Sequence, residues 1–232
     1  MKIKLKNLKK RIFFSQSFEA LLKKNREALK EKFGVNTALK WHMDPRQFFI
    51  SQSRYKFVSK ILSGKNEVLE VGCSDGFNSR IVFQEVKKLS ICDIDKFSLK
   101  NASDIRSKKY NFNIFEHNFI CGPINKKYDA IFALDVLEHI SIKKEKYFLK
   151  NLCLSLNKSG VLIIGSPSLE FQKYSRPKKI SGHINCKTGD QLKNSLSNFF
   201  DNVFIFSMND EVVHTGFQKM ACYLFAVCTN LK

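Results

Sequence analysis

Apolar positions change their period near residue 65 of this chain. Before that point they recur at helical spacing. Residues 17 to 33 place Phe18, Leu21, Leu22, Ala28, Leu29 and Phe33 near one face, with Ser17 able to cap the start and Gly34 the end. A second helix opens at "DPRQFF", where Asp44 caps and Pro45 takes the first turn, and runs to about Gly64 with Phe48, Phe49, Tyr55, Val58, Ile61 and Leu62 on its apolar side. From there strand-like runs alternate with amphipathic stretches. The pattern predicts strands near 67–71, 89–93, 112–116, 129–134 and 160–165, and helices near 77–87, 96–108, 142–156 and 188–199. Such alternation implies a parallel sheet covered on both faces. The end is different, because "NVFIFSM" and "MACYLFAVCTN" are separated only by the polar stretch Asn209 to Lys219. No helix fits between them, so they form an antiparallel pair at the sheet's edge. The chain therefore reads as an N-terminal helical extension over residues 1–64 and an α/β core over 65–232, with no internal repeat.

Composition narrows the class. A chain of 232 residues, 44% hydrophobic, suits one sizeable α/β domain. No segment offers the roughly 18 to 20 uninterrupted apolar residues of a membrane span. The start, "MKIKLKNLKKRIFF", is basic, but its apolar run is cut at Ser15 and Gln16 and lacks the core of a secretory signal. Seven cysteines, an odd number and several inside apolar runs, read as reduced thiols of a cytoplasmic protein. The formal charge of +19 raises the question of nucleic acid. Only seven of the 40 basic residues are Arg, however, and the lysines are dispersed. Arg is the side chain that forks onto phosphates and guanines, so nucleic acid is disfavoured and the charge is read as attraction for a small anionic acceptor.

The chemistry concentrates after the first predicted strand, in "VLEVGCSDGFNSR". Ligands of open parallel sheets sit beyond the carboxyl ends of the central strands, where this turn lies. Gly72 and Gly76 let the backbone turn tightly, and Ser74 is small. A dinucleotide fingerprint needs a third glycine at position 77, which is Phe77, so NAD is disfavoured. Asp93 ends the next strand in "LSICDID", where a carboxylate can accept both hydroxyls of a ribose, and Ile94 follows it to pack on an adenine. Asp93 also has a second reading, as the cap of the following helix.

"VLEVGCSDG", "ICDID" and "YDAIFALDVLEHI" resemble, in order and spacing, the class I S-adenosylmethionine-dependent methyltransferases, nearest the small-molecule type with D-V-L-E-H after the fourth strand. The resemblance spans roughly residues 45 to 230. It implies a Rossmann-like, seven-stranded, mostly parallel sheet with a reversed last hairpin, and S-adenosyl-L-methionine as cofactor. By position it implies that Glu70, Gly72, Ser74 and Gly76 surround the methionine part, Asp93 and Ile94 the ribose and adenine side, and Asn118 and Phe119 the adenine. Arg54 would meet the cofactor carboxylate, and Asp135 would lie beside the methyl group. Ser74 stands where the family has a middle glycine, and Asn118 where it has an aspartate. An Asn carbonyl accepts the same hydrogen bond.

Methyl transfer from a sulfonium is an in-line displacement that needs alignment, dryness and, for a hydroxyl acceptor, a base. "LDVLEHI" sets Asp135, Glu138 and His139 at the end of the fourth strand, and His139 is the first candidate base. The alternative is that the two carboxylates cap the next helix and His139 packs on the cofactor. Quinone-type O-methyltransferases with a similar run bind a divalent metal, but one carboxylate pair and one His are a thin ligand set, so no metal is assigned. His183 in "GHINCKTGDQL" points into the acceptor pocket or fixes its loop, and His214 lines the same mouth or a surface loop. Trp41, His42 and Tyr55 cover the acceptor or form an aromatic cluster. The function read from these residues is methyl transfer to a small acceptor, at oxygen. RNA or protein methylation and a non-catalytic scaffold are its rivals, and the first lacks the Asn/Asp-Pro-Pro-aromatic motif of nitrogen methylation.

Overall fold

The run "EVLEV" is apolar on both sides of the chain and becomes the central strand of the sheet, β1 (Glu67–Val71), with four of its five residues buried. A computed structural model of the chain describes residues 33–174 and 182–232. Parallel to β1 lie β2 (Lys88–Asp93) on one side and β4 (Tyr128–Leu134) on the other, with β3 (Asn113–Glu116) beyond β2 and β5 (Leu156–Pro167) beyond β4. The full order is β3-β2-β1-β4-β5-β8-β6-β7, where β6 is Phe200–Asn209, β7 Val212–His214 and β8 Tyr223–Leu231. Strand direction reverses at β8, which is antiparallel to both β5 and β6. The direction in which the chain adds strands reverses between β1 and β4, and that crevice is where open sheets of this kind bind ligands.

Helices cover both faces. Against one lie α2 (Pro45–Ile61), with α1 (Val35–Met43) packed on it, α3 (Ser79–Phe83) and α4 (Lys96–Asp104), and the buried set there runs from Tyr55, Val58 and Leu62 to Val82, Ala102 and Phe132. On the other are α5 (Ile142–Leu154) and α7 (Gly189–Ser197), whose Phe148, Leu149, Leu152, Leu192 and Leu196 pack on Leu69, Ile131, Ala133 and Leu162. A short α6 (Leu169–Gln172) follows β5. Val68 and Leu69 fall into opposite clusters, as the two-residue period of a strand demands.

The parallel core, the paired last strands and the boundaries of β1 and α2 match the sequence reading, with Asp44 accepting from the Gln47 amide at 3.3 Å as the cap of α2. The helix read over 17–33 falls, but for its last residue, outside the described residues. Gly34 is the cap residue that begins α1, at φ −68, which any residue adopts. Two readings are corrected. The sheet has eight strands rather than seven, because Val212–His214 folds back on β6 with three paired positions, too short a run to read as a strand. The helix after the glycine turn is confined to Ser79–Phe83, because the Glu85 carbonyl takes the Gly64 amide at 2.7 Å and the Lys87 amide donates to the Lys65 carbonyl at 2.9 Å, drawing the chain straight toward β2.

Candidate active site

The glycine turn is held by backbone geometry that few side chains tolerate. Gly72 has φ +78 and Gly76 φ +69, and Ser74 between them has φ +51, the left-handed region that favours glycine. The serine at this unusual position is tied down: its amide donates to Asp93 Oδ2 at 2.9 Å and its hydroxyl accepts from Asn36 Nδ2 at 2.7 Å. Asp93 Oδ1 takes the Asp95 amide at 3.0 Å. It is Asp95, not Asp93, whose carboxylate caps α4, at 3.2 and 3.0 Å from the Phe97 and Ser98 amides. Each Asp93 oxygen keeps one further lone pair, and Ile94 beside it is two-thirds exposed.

Below the turn, Glu70 is buried and accepts from the Tyr55 hydroxyl at 2.7 Å. Burial pushes its carboxyl up to about 7, with Asp93 and Asp75 adding to the effect against bonds that lower it. Tyr55 is thereby part of the core and does not face the cavity. Phe119 is buried against His117 and Phe148, so it is the exposed Asn118 that faces outward on this loop. The Asn118 side chain accepts from the Ile120 amide at 3.0 Å.

Beside the turn, at the ends of β4, β5 and β6, opens a cavity of about 750 Å³ whose wall includes Arg54, Asp135, Glu138, His139, His183 and Tyr223. Asp135, with φ +56, turns the chain sharply out of β4. Arg54 crosses from α2 to place Nη1 2.9 and 2.8 Å from the two Asp135 oxygens, with its guanidinium 3.8 Å from the centre of the Tyr223 ring. Glu138 is 1% exposed. Neither of its oxygens has a hydrogen-bond partner among the described residues. Ser166 is near enough to lower the Glu138 carboxyl slightly, but its hydroxyl is directed at the Pro167 carbonyl, 3.4 Å away. Burial, then Asp135, raises the Glu138 carboxyl to about 8.

His139 and His183, far apart in sequence, have ring centres 5.2 Å apart. His139 Nδ1 lies 2.9 Å from the Gly182 carbonyl oxygen. A carbonyl only accepts, so Nδ1 carries the proton and Nε2 the lone pair. Burial, then the neighbouring His139, holds the His183 imidazole below its usual pKa. One ligand atom each from Glu138, His139 and His183 falls within 4.8 Å of the others. That is the donor set of an imidazole-carboxylate metal site, and His183 supplies what Asp135, Glu138 and His139 lacked as a set in sequence. His214 bonds Asn209 at 3.1 Å on the edge strand and does not line the cavity. Trp41 packs edge-on against Phe48 and Phe49, in the aromatic cluster rather than in the cavity wall, and His42 is exposed.

Sequence reasoning passed over Asp75 and Lys40. The Asp75 carboxylate takes the Thr37 amide at 2.7 Å and the Thr37 hydroxyl at 2.9 Å, anchoring the first turn of α1 on the glycine turn. One turn on, Lys40 of the same helix lines the cavity. Nothing local in "CSDGF" announces a partner 38 residues upstream.

Residues 69–162 match the family model described as a methyltransferase domain. No protein among those with curated functions matches the sequence. The fold resembles the N-methyltransferase NodS from Bradyrhizobium japonicum in complex with S-adenosyl-L-homocysteine (TM-score 0.60, 17% identity, 82% of this chain and 91% of that one). It also resembles the methyltransferase domain of bacterial CtHen1-C (0.64, 15%, 78% and 98%). A third likeness is an S-adenosylmethionine-dependent methyltransferase from Clostridium acetobutylicum (0.63, 14%, 83% and 96%). The fold is thus the Rossmann-like one of class I methyltransferases, and the matched segment carries the glycine turn, Asp93 and the D-V-L-E-H run.

Proposed function

We propose that this methyltransferase binds S-adenosylmethionine over the glycine turn and methylates an oxygen of a small acceptor held in the adjoining cavity. The observation that carries the reading is the convergence, at one end of the sheet, of the Gly72–Gly76 backbone and Asp93 with the histidine pair of the cavity wall. Gly72, Ser74 and Gly76 bring the backbone close to the methionine part, Asp93 accepts the ribose hydroxyls, and Ile94 and Asn118 flank the adenine. The bound cofactor supplies an electrophilic methyl group on a sulfonium. His139, its Nδ1 proton committed to Gly182, presents Nε2 to take the proton of an acceptor hydroxyl. Arg54 and Asp135 neutralise each other, and Lys40 gives the cavity wall a cation for an anionic acceptor.

A second reading of the same side chains is favoured by Glu138, whose two buried oxygens lack hydrogen-bond partners among the described residues and sit beside two imidazoles. A divalent cation held by Glu138, His139 and His183 would polarise the acceptor oxygen in place of a base. Calorimetry with S-adenosylhomocysteine tests the cofactor. Release of S-adenosylhomocysteine across a panel of catechols, sugars, phosphorylated alcohols and short RNAs tests the acceptor. His139→Ala should lower turnover by roughly 10² to 10⁴ with cofactor affinity intact. Loss of activity in chelator, restored by Mg²⁺ or Mn²⁺, selects the metal reading; indifference to chelator selects the base. A wild-type chain that binds neither S-adenosylmethionine nor its product sinks both.

A further inference from the structure

Glu145 lies outside the cavity, in the first turn of α5, and is 7% exposed. Its Oε2 receives Asn185 Nδ2 at 2.7 Å and stands 2.9 Å from Lys187 Nζ. Asn185 is 3% exposed and the Lys187 side chain 14%. Burial alone would raise the Glu145 carboxyl, but its bonds from Asn185, Lys187 and Ser195 outweigh that and hold it below the usual range. A buried ionised cluster of this kind is a poor source of stability compared with apolar packing, and its better-attested use is to fix one arrangement among several.

What it fixes is the loop of residues 182–187. Elsewhere that loop is held by its backbone: the Ile184 and Asn185 amides both donate to the Glu138 carbonyl, at 2.8 and 3.0 Å, and the Lys187 carbonyl accepts the Leu169 amide at 2.9 Å. The loop carries both groups that define the histidine pair. Its Gly182 carbonyl sets the His139 tautomer, and its His183 lies against the His139 ring with Nδ1 3.5 Å from Gln172 Oε1.

We propose that Glu145 is a positioning residue: through Asn185 and Lys187 its carboxylate anchors the 182–187 loop and thereby holds His183 and the His139 tautomer at the cavity wall. The proposal rests on the methyl-transfer reading for its purpose, but its geometry is testable without turnover. Glu145 touches no reacting atom and acts only through the loop.

The test is the His139 tautomer, read by NMR from the ring-nitrogen shifts in the full chain at alkaline pH, with the His139 signals assigned by their loss in His139→Gln. In the wild type the Gly182 carbonyl selects the Nδ1–H form. In Glu145→Gln and in Asn185→Ala the released loop should shift His139 toward the Nε2–H form that a free imidazole side chain prefers, while S-adenosylhomocysteine affinity by calorimetry stays within about twofold, a change small against the tenfold that 1.4 kcal/mol represents. Asn185→Ala leaves the Lys187–Glu145 pair in place and serves where Glu145→Gln fails to fold. Glu67→Gln, which breaks an ion pair with Lys88 and Lys126 on another part of the surface, should leave the His139 tautomer unchanged. An unchanged Nδ1–H tautomer in a folded Glu145→Gln or Asn185→Ala chain overturns the proposal. Failure of the wild type to bind S-adenosylhomocysteine would instead sink the methyltransferase reading, and the tautomer would still decide whether Glu145 anchors the loop.

Discussion

At Gly72 a β-carbon would run into the Val136 methyl group, and the backbone already stands at φ +78. The glycine is therefore demanded twice, by conformation and by packing of the turn against the chain leaving β4, before any ligand is considered. Ser74 accepts the same left-handed conformation at a cost of roughly 1 to 2 kcal/mol, offset by its bonds to Asp93 and Asn36. Asp93 thus holds the turn whatever ligand it meets. Asp93→Ala should weaken S-adenosylhomocysteine binding by roughly 1.5 to 3 kcal/mol, measured by calorimetry, and should also loosen residue 74, seen as faster amide exchange there. Unchanged affinity would limit Asp93 to holding the turn. The juxtaposition of the glycine turn and Asp93 was legible from spacing, because both are set by positions along two adjacent strands. The pairing of His139 with His183 was not, because it depends on a loop returning across α5.

The first helix before the core shows the same limit at the scale of an element. α1 has a sequence, "VNTALKWHM", with no side-chain cap of its own. What holds its start is Asp75, a carboxylate from the glycine turn that takes the place of a local cap. α7, in contrast, carries a complete capping box, with Thr188 and Gln191 bonded reciprocally at 3.2 and 3.0 Å, and its start was read from sequence to within one residue. Thr37→Val keeps the shape and removes the hydroxyl bond to the buried carboxylate, so it should lower stability by about 1 to 2 kcal/mol in urea unfolding. Because α1 rests on the glycine turn, bound S-adenosylhomocysteine should slow proteolysis within α1 less in that variant than in the wild type. Equal protection in both would separate α1 from the cofactor site.

Across the whole molecule the two buried carboxyls of the site set a pH dependence. Glu70 and Glu138 are raised from 4.5 to about 7 and about 8. A raised carboxyl binds its proton more tightly when folded, so its contribution to stability is full below about 4.5 and is lost as pH rises through the folded values. Each group contributes a slope of at most about 1.4 kcal/mol per pH unit in that window. The ligand-free protein should therefore melt at progressively lower temperature from pH 5 to pH 8.5, and Glu138→Gln should flatten the upper part of that decline. A flat wild-type profile would mean that Glu138 is ionised when folded, as cation binding requires. No helix among the described residues is long and apolar enough to cross a membrane.

The order of strands and helices, the two-faced burial of the sheet and the reversed final pair followed from sequence alone, because each depends on a period of two or 3.6 residues and on connection lengths that admit or forbid a helix. The glycine turn and Asp93 were placed together at the carboxyl ends of β1 and β2 from their positions in the sequence. Tertiary structure alone decided which side chains meet there. Arg54 lies 81 residues from Asp135, Thr37 lies 38 from Asp75, and Glu145 reaches Asn185 40 residues away. No local period encodes such contacts. They arise where separate elements are packed against a common sheet edge, and there a bland spacing of Glu, Asn and His becomes a site.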